Sequence, residues 1–485
     1  MRKAKFACLL LCLLMAFGSF SACSGKQPSD PVKTDEIKPG VTDESGYVYT
    51  SPDVNYDNAL FNVFTWNGTD EWVLETTEHS TQIEAQTYHH LIGVEGELGI
   101  EFNIAQSISG SYGKHIDFIS RVAMLSGDDN IHLVCQYSLA AAYGVLQGLY
   151  TDLNTLDYLR WDAPYWSDDF QNVNTVNGKM FYCTGELSSS VINNLQLLVF
   201  NYNMVQDYGL GDLYAMVKDG SWTMDKLKEL TEGVYSDLNQ NNIADPGDMF
   251  GLVTKDTSRI DPWQYACNLI AMKTNDLQEL ELNRELYTEI GANVIDKISG
   301  VLLNSKNSGA YCEQPNSNKG SYSTAMQDGH AMFSSEVAYE IIKNINPTGL
   351  DYGVLPFPKY NADQDGYYTC LGMPYSMFAV PAQSQTANMS AAVLEALAHS
   401  GYTDLSPFIF ETCLKSRYSK RPEDAEMFDI LRNGIVYDPG RVYDNVQCYT
   451  FVRSLVHSGE AITTYYQERV SRYANGLKDI NFAFA

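Results

Sequence analysis

The sequence predicts an α/β protein built as two lobes with a helical C-terminal region. Three observations carry this. From Leu60 onward, short apolar runs alternate with stretches of helical spacing, the pattern of a mainly parallel sheet flanked by helices. Beyond an N-terminal segment of different composition, roughly 440 residues remain, more than a single hydrophobic core organises. From Ala387 onward strand-like runs fade, and Val393, Leu394 and Leu397 repeat on one helical face.

Residues 1–22 read as a targeting segment. Arg2, Lys3 and Lys5 form a basic start, Ala7 to Phe17 an apolar core, and Phe20-Ser21-Ala22-Cys23 ends it with small residues before a Cys. This looks like a lipoprotein signal, with Cys23 as the lipidated N-terminus, although Phe20 stands where an aliphatic residue is usual. The apolar core is shorter than the roughly 20 residues a spanning helix needs. Residues 23–55 are expected to be the lipidated Cys and a flexible tether, since they are largely polar and carry Pro and Gly.

In lobe 1, expected over 56–185 plus 353–375, Leu60 to Trp66 reads as the first strand and Ile100 to Ile104 as the second. A helix carrying Leu91, Val94 and Leu98 lies between them, and His89-His90 on it read as solvated surface. A helix with Ile116, Ile119 and Ala123 leads to the strand Ile131–Cys135. In open parallel sheets, ligands sit beyond the carboxyl ends of strands. That rule points at Trp66 and at Gln136-Tyr137.

In lobe 2, expected over 186–352 plus 376–485, Leu195 to Asn201 is a buried strand. Thr223 caps a helix on which Met224, Leu227, Leu230 and Val234 share a face. A helical stretch is expected from about Asn275 to Lys306. Trp263, in Asp261-Pro262-Trp263 after a strand, reads either as a stacking platform in a loop or as a buried anchor.

Taken in order, these pieces resemble the extracellular solute-binding lipoproteins of bacterial ABC importers, in the carbohydrate-binding group that includes the maltose-binding protein. The resemblance rests on Gly178-Lys179, the apolar strand ending in Asn201, Trp222-Thr223 opening a helix, and Asp237-x-Asn239-x-Asn241 before Phe250-Gly251-Leu252. Gly329-x-Ala331-Met332-Phe333, Tyr352-Gly353-Val354-Leu355-Pro356-Phe357-Pro358-Lys359 and Val380-Pro381-Ala382 extend it. It implies a two-lobed, periplasmic-binding-protein type II-like fold with hinge crossovers, Gly185 being compatible with a hinge. It also implies a sugar ligand, a membrane permease as partner, and a lipid-anchored monomer on the extracytoplasmic face. It tips Trp263 toward the cleft, places Asn194 there, and makes Glu336 and Tyr375 candidate cleft residues. Glu336 reads equally as an acid at the start of a helix.

Asp237, Asn239, Asn241, the Ile243 carbonyl, Asp245 and Asp248 fall at positions 1, 3, 5, 7, 9 and 12 of an EF-hand-like loop, which suggests a structural calcium. Asn242 at position six and Asp248 at position twelve depart from the usual Gly and Glu. The same residues also suit a loop closed by its own side-chain hydrogen bonds. A net charge of −28 argues against nucleic acid and anionic lipid headgroups as partners. The cysteines show neither a disulfide framework nor a zinc pattern, and most read as small core residues. No catalytic motif of the zinc-protease, nucleophile-elbow, phosphate-loop or dinucleotide type is present, so no enzyme is expected. A glycan-active enzyme, a binder of peptides or other polar solutes, and an adhesion protein stay open as alternatives.

Overall fold

Two main sheets, of four and five strands, divide the described residues. The computed structural model describes residues 46–485 apart from 67–70, 107–130, 246, 256–258, 304–309, 314–321, 374 and 383. The signal segment, Cys23, most of the tether and the helix expected around Ile116 lie outside the described residues.

The first sheet joins β1 (Ala59–Thr65), β2 (Ile100–Gln106), β3 (Leu133–Tyr137) and a late strand, Ser376–Ala379, in the order late strand, β3, β1, β2. The first three run parallel, and the late strand is antiparallel to β3. Helix α1 (Gln82–Leu98) covers this sheet with Leu91, Val94 and Leu98. It starts at a capping box of Thr81 with Glu84 and stops at Gly99, whose φ of 63° suits glycine. Helix α2 (Ser138–Leu146) follows β3 directly.

The second sheet joins β4 (Gln196–Asn201), β5 (Phe250–Lys255), β6 (Ala310–Glu313), β7 (Ala331–Val337) and β8 (Tyr352–Leu355) in the order β8-β4-β7-β5-β6. Every residue of β4 is buried, as a central strand covered on both faces requires. Asn201 ends β4 by accepting from Met204 N, and Thr223 caps helix α3 (Met224–Thr231) by accepting from Lys226 N. Trp222 is buried and donates Nε1 to the Pro356 carbonyl at 2.9 Å, fixing α3 to the segment after β8.

Four expectations need correction. The lobe boundaries are exchanged near the second crossing. Tyr352–Leu355 pairs with β4 in the second sheet, and Ser376–Ala379, now β9, pairs with β3 in the first. The segment before residue 56 is not all tether. Tyr49 is buried, stacks on His399 at 3.5 Å and donates to Glu97, and Arg160 holds the Thr50 carbonyl. Residues 275–306 are not one helix. Asn275 Oδ1 accepts from Leu277 N and Glu279 N, which folds Met272–Leu282 into a hairpin before the helix Glu289–Leu302. Of the two histidines on α1, His89 is exposed but His90 is buried.

Helix α4 (Ala387–Ser400) packs on α1, and helix α5 (Pro422–Asn433) packs on β8. The last helices are α6 (Phe451–Ser458) and α7 (Ile462–Ala483). The six described cysteines outside residues 304–323 are free thiols, and all but Cys267 are buried. Among the described residues no helix is long and apolar enough to cross a membrane.

Candidate functional site

The carboxyl ends of the parallel strands meet where the chain passes between the sheets. Past β3, Ser138 donates its backbone N–H to Tyr375 O and its hydroxyl to Met373 O. Past β1, Trp66 Nε1 approaches Ser376 Oγ at 3.4 Å. In the second sheet, the end of β7 pairs with the start of β4, and Leu195 beside it bridges to Leu371. Arg259, just beyond β5, reaches Gln196 Oε1 at 3.3 Å. Both sheets therefore present their carboxyl ends to one region between the lobes.

Three walls define that region. Lobe 1 supplies half-buried Trp66 and Tyr137, edge to face at 5.4 Å, with Ser376 Oγ donating to Glu71 Oε1 at 2.6 Å behind them. Lobe 2 supplies Glu336. Its side chain is buried, Oε1 accepts from Ser334 Oγ at 2.5 Å, and Oε2 has no partner among the described residues. Burial pushes this carboxyl up to about 7 against the pull of Arg259. The C-terminal region supplies Tyr449 and Arg453. Gln447, at φ 57°, turns the chain into the short helix 448–450. Arg453 then lies over the Tyr449 ring at 5.5 Å, and burial raises the Tyr449 hydroxyl, with Tyr137 a minor contributor.

Asp261 joins these walls. Its Oδ2 accepts from Arg441 at 3.1 Å, and Arg453 Nε stands 3.6 Å from Oδ1, which has no hydrogen-bond partner. Arg441 in turn donates to the Leu371 carbonyl at 2.9 Å. Buried polar atoms are nearly always satisfied. The Glu336 Oε2 without a hydrogen-bond partner, at the end of β7, is therefore a position that a ligand hydroxyl suits.

The structure brings Trp66, Tyr137 and Glu336 to this region. Glu336 lies inside β7 and is not a helix cap. It does not bring the other four candidates there as ligand-facing groups. Gln136 points the other way on β3, where Oε1 accepts from Tyr150 OH at 2.8 Å under α2; its Nε2 has no partner among the described residues. Asn194 donates to Ser190 O and rests against Gly372, knitting the crossings together. Tyr375 is buried among the same crossings, and burial drives its hydroxyl far above the usual range. Trp263 is fully buried and meets Phe357 edge-on at 5.0 Å. Pro262 opens a helix, Asp261–Ala266, where a loop was expected, and that helix turns the indole into the core. Tyr449 and Arg453 escaped sequence reading. Their spacing of four, which puts a ring and a guanidinium on one helical face, was the available signal.

The acidic loop is closed by its own hydrogen bonds. Asp237 accepts from Asn241 N and Asn242 N, Asn239 Oδ1 from Asn241 N, and Asn241 Oδ1 from Ile243 N. Both asparagine side chains donate to Asp245. Asp248, the expected twelfth ligand, is buried and accepts from Tyr235 OH, Leu238 N and Asp245 N. A calcium ion in the loop would have to compete with these donors for Asp248. Calorimetry in millimolar calcium is expected to show no binding heat. A heat that Asp237→Ala abolishes would show instead that Asp248 reorients onto an ion.

No family model matches the sequence, and no curated protein matches it. Solved structures do. The galacto-N-biose/lacto-N-biose I-binding protein of a Bifidobacterium longum ABC transporter, in complex with lacto-N-biose, matches with a TM-score of 0.57 at 10% identity, covering 88% of this chain and 98% of that one. A family 1 extracellular solute-binding protein from Bifidobacterium longum subsp. infantis matches at 0.55 and 13% identity, over 86% and 99% of the two chains. A maltose/maltodextrin-binding domain from Bdellovibrio bacteriovorus bound to maltotriose matches at 0.52 and 13%, over 87% and 100%. The fold is thus that of extracellular solute-binding proteins.

Proposed function

We propose, from a chain with the fold of extracellular solute-binding proteins, that this protein captures a sugar outside the cytoplasm for an ABC importer. The support for the proposal is this fold together with the Trp66–Tyr137 ring pair at the strand ends of one lobe and the unpartnered Glu336 oxygen at a strand end of the other, with Tyr449 and Arg453 as further candidates. The rings offer flat apolar faces to a pyranose, and the carboxylates and guanidiniums offer partners to its hydroxyls. An oligosaccharide suits walls that come from three parts of the chain. The sugar binds without being transformed. It favours the closed arrangement only through contacts made with both lobes together.

Delivery to a membrane permease and anchoring through lipid on Cys23 belong to the same proposal. The support for an anchor is the basic, apolar and small-residue order of residues 1–23. Two acyl chains on one Cys hold a protein at a membrane better than a single chain.

A thermal-shift screen of residues 24–485 against mono- and oligosaccharides tests the reading. Lacto-N-biose and maltotriose are sensible first probes. At about 100 times Kd a ligand adds roughly 2.7 kcal/mol. The expected result is a saturable shift with the sugar recovered unchanged. Sugar breakdown would favour a glycan-active enzyme, and a shift only with peptides would replace the ligand class.

A further inference from the structure

Three connections join the lobes. The first, residues 185–195, and the second, residues 371–376, are laced into one ribbon. Leu195 bridges Leu371, Gly372 N donates to Asn194 O at 2.7 Å, and Ser376 N donates to Ser190 Oγ at 2.7 Å. At the lobe 1 end, Thr184 Oγ1 donates to Ser376 O. The third connection is a helical rod, residues 387–418, that starts as α4 on lobe 1. Past Ser400 it is wound as π-helix over Gly401–Leu405 and again over Phe408–Tyr418. Such winding is rare and concentrates at functional sites.

The rod meets the ribbon at Glu186. A Cβ on Gly401 would lie 1.6 Å from the Glu186 carbonyl oxygen, so backbone touches backbone and only glycine fits without a shift. Lobe 1 fixes both partners through one side chain. His90 on α1 reaches Leu187 O at 3.1 Å with Nε2 and Ser400 Oγ at 3.0 Å with Nδ1. Burial pushes this imidazole down to about 4, so at neutral pH it is uncharged. Its Nε2–H must then donate to the carbonyl, and Nδ1 accepts from the serine. Lobe 2 reaches the same point from the other side. Arg432 on α5 contacts Glu186 Oε1 at 2.6 Å and lies over the Phe410 ring of the rod at 4.8 Å.

Glu186 therefore carries the rod on its backbone and lobe 2 on its carboxylate, while its neighbour Leu187 is pinned to lobe 1. We propose that Glu186 is the pivot between the lobes and that its ion pair with Arg432 is a latch that sets the interlobe angle. This deepens the reading of a closing sugar site and rests on it for its purpose, because ligand affinity in such a site contains the free-energy difference between angles. The latch touches no wall of the site, so it tunes affinity from a distance.

Small-angle scattering of residues 24–485 without any sugar tests the pivot independently of the ligand class. Both side chains of the pair are partly exposed, and a pair of that kind shifts an equilibrium by about five-fold at most. Arg432→Ala and Glu186→Ala are expected to shift or broaden the distribution of molecular dimensions in the same sense. Arg432→Lys, which keeps the charge, should stay near the wild type. If a sugar binds, its Kd should move with the distribution by about three- to five-fold in the Ala variants. Distributions identical to the wild type in both Ala variants would overturn the proposal, even if their melting temperatures fall, because the pair would then be merely structural. Failure of every sugar to bind would leave the scattering result standing and count against the carbohydrate reading alone.

Discussion

Replacing Glu336 by Gln stabilises the chain above neutral pH by about 3 kcal/mol, with little gain in mild acid. The cause is burial. Burial pushes the folded carboxyl up to about 7, from an ordinary value of 4.5. A carboxyl raised on folding contributes stability that is fully present below its unfolded value. That contribution is lost as pH rises through the folded value, because a charge must then be held where water cannot reach it. Gln is close in shape and carries no charge, so it escapes this loss. Urea denaturation of both proteins at about pH 5 and pH 8 measures the effect. A stability difference equal at the two pH values would contradict it. The same substitution should weaken sugar binding, since Glu336 keeps one oxygen without a partner. A group that costs stability and still occupies a strand end between two lobes is better explained by a ligand than by packing.

Asp261→Ala is expected to cost about 3–5 kcal/mol, the largest effect of any single change considered. It leaves the buried guanidinium of Arg441 without its carboxylate and removes the neighbour of Arg453. Removing one member of a buried ion cluster exposes the full desolvation cost of the others. Because Arg441 also holds Leu371 on the second connection, the variant should loosen the crossings as well as the C-terminal wall. Chemical denaturation at neutral pH provides the measure. A loss below about 1 kcal/mol, the range of exposed pairs, would mean that water already screens the cluster.

Much of the fold was legible because it is written in local patterns. The fully buried β4, the Thr223 cap and the first two strands of lobe 1 follow from apolar runs, capping residues and alternation. What was not legible depends on partners distant in sequence. Nothing local in Tyr352–Leu355 or Ser376–Ala379 says which sheet will take it, since both are short, fully buried strands. The site divides the same way. Trp66 and Tyr137 follow from the rule about strand ends. Trp263 misled because a Trp after a strand reads alike whether Pro262 opens a helix or a loop. Tyr449 and Arg453 lie more than 300 residues from Tyr137, and only the tertiary fold brings these walls together.

One sugar held by walls from both lobes and the C-terminal region is what the proposed function requires. The most direct measurement takes the sugar that gives the largest thermal shift and titrates it calorimetrically into the wild type, Trp66→Ala, Glu336→Gln and Tyr449→Ala. Each variant, one per wall, is expected to lose about ten-fold or more in affinity, equivalent to about 1.4 kcal/mol, while remaining folded. Unchanged affinity in all three variants would place the sugar elsewhere on the molecule.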